Sequence, residues 1–518
     1  MEVIMLGKTI SYTTLGIDAH KIEVEVDHYG KLSGPTIMVG MPSNSVKESK
    51  ERVSSAIANS GYQNKAGTKI INLAPADLKK DGSTLDLSIA IALLMSYKTI
   101  KVPYALDYAI MGELSLDGTV KPIKGTLPIA LEAKKDKLKG IILPFENASE
   151  AAIVQDLDVI PVHSLVEAIS FLEGKVEISP FILDIKKIFS SLNESEIDMH
   201  DVKGQYHVKR ALEVSAAGGH NILMVGPPGS GKTMLAKRFA TILPDLSLDE
   251  ALETTKIHSV AGVPTNKRNG IVVNRPYRSP HHTTSDVALI GGGTYPKPGE
   301  VSLSHNGVLF LDELPEFKKS VLEVLRQPLE DGIVTVSRAS QSLNFPAKFI
   351  LVTSMNPCPC GYFNCNIPGH ECTCTGNMIQ RYRARVSGPL LDRIDLHIEV
   401  PAVPYKDLGG IPDGEYSKDI RARVNKARQI QLKRFKDDSI FCNAQMNPKH
   451  TRLYCQLDED SNQLLKLTIE KRGYSARVYD RILKVARTVA DLEGSENIKA
   501  QHISESIQYR SLEKSFWG

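Results

Sequence analysis

The stretch NILMVGPPGSGKT, residues 221–233, decides how this chain is read. Its apolar run, Ile222 to Val225, has the length and composition of a buried strand. Gly226, Pro227, Pro228, Gly229, Ser230, Gly231, Lys232 and Thr233 follow, and then MLAKRFATIL, with apolar residues at helical spacing. Strand, glycine loop and helix in that order fit the phosphate-loop form G-x-x-x-x-G-K-S/T in the context it requires. The glycines let backbone N–H groups turn inward around phosphate oxygens. The helix N-terminus adds partial positive charge at the same point. Lys232 would reach the β- and γ-phosphates, and Thr233 would hold Mg²⁺ through its hydroxyl. The implied ligand is ATP with Mg²⁺.

Downstream segments supply partners. In GVLFLDELPEF (307–317), four apolar residues read as a strand of a parallel sheet. Asp312 and Glu313 follow at its C-terminal edge, where open α/β sheets put ligands. Asp312 would complete the Mg²⁺ shell, and Glu313 would orient and polarise the attacking water. KFILVTSMNP (348–357) is a further buried strand that ends on Asn356. GPLLDRIDLHIEV carries Arg393, and GYSARVYDRILKVARTVADL carries Arg477 near the start of a helix. This order resembles that of AAA+ ATPases. The resemblance implies a sensor role for Asn356 beside the γ-phosphate, an arginine finger at Arg393 serving a neighbour's site, and a second sensor at Arg477. An ion pair of Arg393 with Asp392 or Asp395 is the plainer reading of that arginine. Val202 and Gln205 match positions that contact adenine in related ATPases.

The remainder of the composition sets bounds. The 518 residues allow two to four domains. Hydrophobic content of 42% and charged content of 24% are those of a globular protein able to bury several cores. A net charge of +3 says nothing about a nucleic-acid partner, so charge distribution must be read instead. No run of about 18 apolar residues suggests a membrane span, and the N-terminus has no signal-peptide pattern. Seven cysteines are too few for a disulfide scaffold, and five crowd into one segment. That pattern points to metal in a reducing, cytoplasmic setting.

Residues 1–175 alternate strand and helix signals. KIEVEVDH (21–28) alternates charged and apolar residues, and LDLSIAIALLM (85–95) reads as a buried helix. GELSLDGTVKPIKG, a helix and GIILP resemble the proteolytic domain of Lon. The resemblance implies an α+β fold with a serine nucleophile and a lysine base. Here Asp81-Gly-Ser-Thr puts Thr84 at the serine position, and the lysine position falls on Leu127. A hydroxyl nucleophile needs an adjacent base, so this domain is expected to be Lon-like and inactive as a protease. A shifted Ser83/Lys124 pair is the other reading. Residues 176–200 read as a linker, 201–405 as the ATPase core and 406–518 as a helical C-terminal lid whose movement would couple nucleotide state to a ring.

NPCPCGYFNCNIPGHECTCTG holds Cys358, Cys360, Cys365, Cys372, Cys374 and His370. Two C-x-C arms flank a turn-rich loop containing Gly361, Pro368 and Gly369. Cys358, Cys360, Cys372 and Cys374 can give four thiolates to tetrahedral Zn²⁺, with Cys365 or His370 as alternates. Free thiols or a redox pair are the plainer readings. Cys442 and Cys455 read as small buried residues.

Two further segments narrow the class. Residues 275–307, RPYRSPHHTTSDVALIGGGTYPKPGEVSLSHNG, lie between the P-loop helix and Asp312, and Gly291–Gly293 read as a mobile loop facing a central channel. GIVTVSRASQSLNFP (332–346) reads as a β-hairpin with Arg338 near its tip. Together with RSPHHTTSD, SHNGVLFLDELPEF, NPCPCGY and SGPLLDRIDLHIEVP, these features resemble the YifB/ComM family of magnesium-chelatase-like AAA+ proteins, over nearly the whole chain. The resemblance implies a hexameric ATPase and, for ComM members, DNA branch migration in natural transformation. Residues 418–436 carry eight lysines and arginines, either a solvated face or a phosphate-contacting surface. Competing functions are a chelatase or protein-remodelling motor that does not move on DNA, and an ATP-dependent protease. The chain has no D-x-S-x-S metal-site domain of the chelatase type, and Leu127 speaks against proteolysis.

Overall fold

The computed structural model describes residues 6–30, 32–80, 82–190, 197–263, 270–293, 296–338, 341–365, 369–402, 414–438 and 440–512. Asp81, Pro368, residues 191–196 of the linker and residues 403–413 of the following connector lie outside them. The chain divides into two compact units: Met1–Leu192 with Leu248–Val273, and Asn193–Ser247 with Asn274–Gly518. The ATPase core read as 201–405 is therefore interrupted. Helix Leu248–Ala261 belongs with the first unit, where Gly125 N–H donates to Ser259 O at 3.2 Å and Ser259 Oγ donates to the buried Glu150 carboxylate.

In the first unit, alternation makes Asp18–Tyr29 a strand whose Ile22, Val24 and Val26 are fully buried. It is one of seven strands in a mixed sheet ordered Thr36–Val39, Thr68–Ala74, Asp18–Tyr29, Gly7–Leu15, Tyr108–Ile110, Gly140–Pro144, Asp158–Val162. Helix Asp86–Ser96 is apolar all round because it is buried all round. Its one carboxylate, Asp86, is bridged by Arg52 at 2.9 Å. Leu127 sits at the first turn of helix Thr126–Lys135 and is fully buried. Ser83 Oγ donates to Glu113, and Lys124 lies against Gly262. Ser83 thus has Glu113 as its partner, and among the described residues no hydrogen bond joins Ser83 to Lys124.

In the second unit, four apolar runs and one short strand make an all-parallel sheet ordered Tyr277–Arg278, Val308–Leu311, Ile350–Met355, Ile222–Val225, Leu396–Glu399. Nearly every residue of its inner strands is buried, as a parallel sheet covered on both faces requires. The P-loop strand lies inside the sheet, between the Ile350–Met355 and Leu396–Glu399 strands. The edge strand Tyr277–Arg278 makes the start of the 275–307 segment part of the core sheet. Within the rest, Gly291–Gly292 pairs with Lys297–Pro298. A side chain at Gly291 would come within 2.3 Å of Lys297 O, and its φ is +111°, so glycine is needed there for close backbone approach. The hairpin forms as read, Ile333–Arg338 against Gln341–Pro346, with Arg338 opposite Gln341.

The C-terminal helices Ser417–Arg434, Pro448–Tyr454, Glu459–Arg472, Ala476–Glu493 and Ala500–Gln508 form the lid. Val478, Ile482, Val485, Ala486 and Val489 recur at helical spacing, and Ser475 caps the start of their helix by accepting from Val478 N–H. Val485 and Val489 share a core with Ile222 and Met224 of the P-loop strand. The basic helix Ser417–Arg434 buries Ile420, Val424 and Ala427. Its arginines have partners within the chain: Arg421 on Thr241 O, Arg423 on Glu213 and Glu415, Arg428 on Ala216 O and Ala217 O, Arg434 on Asp491. Arg423 and its Glu415 partner are nonetheless exposed, so a phosphate-contacting surface on this helix would draw on its lysines and on Arg423. Among the described residues no helix is long and apolar enough to cross a membrane.

Candidate nucleotide site

The glycine loop turns where the strand ends. Gly226 allows the loop to pass Val400, whose carbonyl oxygen would lie 2.2 Å from any Cβ there. Gly229 and Gly231 have φ of +75° and +87°, conformations that side chains disfavour, and Gly231 starts helix Lys232–Phe239. Lys232 is only 9% exposed. Its Nζ donates to Gly226 O and Pro227 O, each at 2.8 Å, and lies 3.3 Å from Asn356 Oδ1. Burial lowers its pKa. The ammonium is thus held inside the loop by oxygen acceptors.

Beside it, Thr233 Oγ1 donates to Asp312 Oδ2 at 2.6 Å. Asp312 Oδ1 accepts from Glu313 N–H at 3.0 Å and from Ser354 Oγ. A hydroxyl and a carboxylate converging at the strand edge are the hard oxygen donors that Mg²⁺ takes. Glu313 adopts φ +53°, uncommon for a residue with a side chain, which turns the chain sharply after the strand. Its Oε2 lies 3.7 Å from His282 Nδ1. Gln205 Nε2 donates to Ser230 O at 2.9 Å and to Pro401 O at 3.2 Å, while its Oε1 is buried without a hydrogen-bond partner. An orphaned acceptor beside the phosphate loop fits a purine amino donor. On these residues the site fits ATP with Mg²⁺.

Lys232, Thr233, Asp312, Glu313 and Asn356 therefore converge. Arg393 and Arg477 do not join them. Arg393 precedes the strand Leu396–Glu399, which runs parallel to the P-loop strand with Leu396 opposite Ile222. Asn221 Nδ2 donates to Arg393 O at 2.9 Å. Both contacts fix Arg393 at the N-terminal edge of the sheet, whereas the phosphate loop leaves the C-terminal edge. A four-residue strand spans roughly 13 Å, at about 3.3 Å per residue. Arg393 bonds Glu330 and Pro389 O, so neither Asp392 nor Asp395 is its partner. Asp392 faces Arg477 at 3.6 Å, and Asp395 bonds Arg481 and His220. Burial disfavours the Asp395 charge, yet the Arg481 and His220 groups hold its carboxyl well below the usual range. Arg393, Arg326, Arg477 and Arg481 lie close enough that, after burial, their mutual repulsion lowers the Arg393 pKa. The two arginines read as finger and sensor thus form one cluster, remote from their own chain's phosphate loop.

Ser354 and His282 are site residues that the motif spacing does not single out. Ser354 lies inside a strand quoted for its apolar residues. His282 reaches Glu313 only through the fold of residues 279–285.

A parallel sheet of this strand order, a phosphate loop, an acidic pair at the end of the Val308–Leu311 strand two places along the sheet and a helical lid define an AAA+ ATPase. Comparison with known proteins narrows the class. The family model of the magnesium chelatase subunit ChlI matches residues 198–408, that of its C-terminal region residues 414–510, and a model described as subunit ChlI of Mg-chelatase residues 24–147. Competence protein ComM of Haemophilus influenzae is 41% identical, with 98% of both chains covered. YifB of Escherichia coli is 42% identical, with 96% of each covered. Lon protease 2 of Bacillus subtilis is 30% identical over 118 residues, 22% of this chain. The chain belongs to the ComM/YifB family of magnesium-chelatase-like ATPases.

Proposed function

We propose that this chain is a ring motor, most simply a hexamer, that hydrolyses ATP at the seams between copies and moves branched DNA. One observation carries the reading: Lys232, Thr233, Asp312 and Asn356 stand on one edge of the sheet, and Arg393 and Arg477 on the other. No single chain brings both sets to one phosphate, but a head-to-tail ring does.

In that arrangement Lys232 exchanges its loop carbonyls for β- and γ-phosphate oxygens, and Thr233 and Asp312 hold the cation. Bound Mg²⁺ supplies charge neutralisation across the transferring phosphoryl group. Ser354 fixes the Asp312 carboxylate. Glu313 orients water and takes its proton, and Asn356 positions both water and phosphate. Arg393 and Arg477 of the adjoining copy meet charge that develops on the γ-phosphate. Gln205 Oε1 accepts from the adenine amino group, and Val202 packs nearby.

DNA as substrate is supported by similarity to a competence protein. The hairpin through Arg338 and the Gly291–Gly293 segment would be the contacts that ATP turnover moves in the channel. The first unit would then be a Lon-like domain without peptidase activity, and the whole chain would work in the cytoplasm. The matches to chelatase models favour a second reading, a motor that remodels a protein partner. A four-way DNA junction with ATP separates the two. The account expects ATP-dependent junction movement that falls steeply with salt. Robust ATPase activity with no movement of any junction would favour the remodelling reading.

A further inference from the structure

The cysteine-rich segment is packed against the phosphate loop. Cys358 and Cys360 follow Asn356 at the end of the strand Ile350–Met355, and Cys372 and Cys374 return just before helix Gly376–Arg383. The four sulfurs all lie within 4.8 Å of one another. Cys358 and Cys360 are 3.3 Å apart, Cys358 and Cys372 3.8 Å, and Cys360 and Cys372 3.6 Å. Disulfide sulfurs would sit at about 2.05 Å, and all seven cysteines are free. Four sulfurs at about 2.3 Å from a tetrahedral Zn²⁺ would be roughly 3.8 Å apart. The backbone N–H of Cys360 also donates to Cys374 Sγ at 3.4 Å, the kind of bond that supports a thiolate ligand. The two alternate ligands turn elsewhere. Cys365 Sγ faces Gly361 O and Phe363 O, and the His370 ring stacks on Tyr362 at 4.7 Å.

The same segment touches the nucleotide site. Gly361, at φ +91°, presses on Pro228: a Cβ there would lie 2.5 Å from the proline Cδ. Arg383 ties the following helix back by donating to Pro357 O at 3.2 Å, and its guanidinium lies over the Phe363 ring. Holding Cys358 and Cys360 against Cys372 and Cys374 therefore holds Gly361 on Pro228 and Asn356 beside Lys232.

We propose that Cys358, Cys360, Cys372 and Cys374 form a structural zinc site whose occupancy keeps the phosphate loop in its nucleotide-binding shape. Four soft thiolates in a tetrahedron select Zn²⁺ over the hard Mg²⁺ of the ATP site. The coupling rests on the nucleotide reading of Lys232; the metal site does not.

The test uses the full-length chain purified under reducing conditions. Elemental analysis should find one zinc per chain, and a mercurial thiol reagent should release it to a chromophoric chelator. Binding of a fluorescent ATP analogue should weaken by roughly tenfold on release and return when the thiols are freed and zinc is restored. Cys365→Ser should keep the metal, whereas Cys372→Ser should lose it. If Cys372→Ser does not fold, release and restoration in the wild-type chain still decide the matter. Four freely reacting thiols with no metal, or iron in place of zinc, would overturn the site. Stoichiometric zinc whose removal leaves analogue binding unchanged would overturn the coupling. A zinc-loaded chain that binds no nucleotide would instead contradict the reading of Lys232.

Discussion

At the scale of single residues, the ATP site depends on side chains brought together by strand ends. Glu313 is the sharpest case. Its left-handed backbone is a conformation that costs energy and persists where surrounding structure enforces it. A carboxamide at this position would keep the shape and lose the base. Glu313→Gln should bind ATP as the wild type does and hydrolyse it roughly 10²–10⁴-fold more slowly. Single-turnover hydrolysis beside equilibrium binding measures both, and normal turnover would remove Glu313 from its role. Lys232, Thr233 and Asp312 are legible in the sequence because phosphate chemistry fixes their spacing relative to a strand and a helix. Ser354 is not legible, since one hydroxyl within a buried strand has no spacing signature until the neighbouring Asp312 is placed beside it. Arg393 is legible as an arginine of interest, but its partner is not: Glu330 lies 63 residues earlier in the chain.

At the scale of elements, periodicity reveals the long helices and buried strands, and fails where an element is short or its neighbours are distant. The strand Tyr277–Arg278 has two residues, too few for any alternation. Helix Leu248–Ala261 buries Thr254, Thr255, His258 and Ser259 beside Ala251 and Ile257, so its buried face is not marked by apolar residues, and nothing local assigns it to the first unit. The basic helix Ser417–Arg434 shows that charge density in sequence does not reveal whether arginines meet solvent or carbonyl groups. The edge strand Leu396–Glu399 carries a testable consequence. Burial, and next the Arg510 guanidinium, push His397 down to about 3. In the unfolded chain an imidazole titrates near 6.5, so below that pH the unfolded state takes up a proton that the folded state refuses. The stability is whole above about pH 6.5 and is lost progressively as pH falls toward 3. Between about pH 7.5 and 5.5 the wild type should lose about 1.4 kcal/mol that His397→Gln does not lose. Urea unfolding at the two pH values measures the difference; equal losses in both proteins would place His397 outside this linkage.

At the scale of the whole molecule, the central claim is that one chain holds half of two ATP sites. The order of motifs in the sequence names all the parts. Only the parallel register of Ile222 with Leu396 puts the arginine cluster on the edge away from the phosphate loop. The arrangement predicts complementation between defective copies. Lys232→Ala and Arg393→Ala should each be nearly inactive alone, the first for want of phosphate contact and the second for want of the neighbour's charge. Mixed in equal amounts, they should rebuild intact seams wherever an Arg393→Ala copy offers its phosphate loop to the arginines of a Lys232→Ala copy. Random assembly makes such seams roughly a quarter of the total, in a ring whose contacts are all head-to-tail. The most direct measurement is therefore the ATPase rate of that mixture, after subunits have been dissociated and reassembled together. A rate well above both parents is the result this account predicts, and a mixture no more active than the average of the two would contradict it.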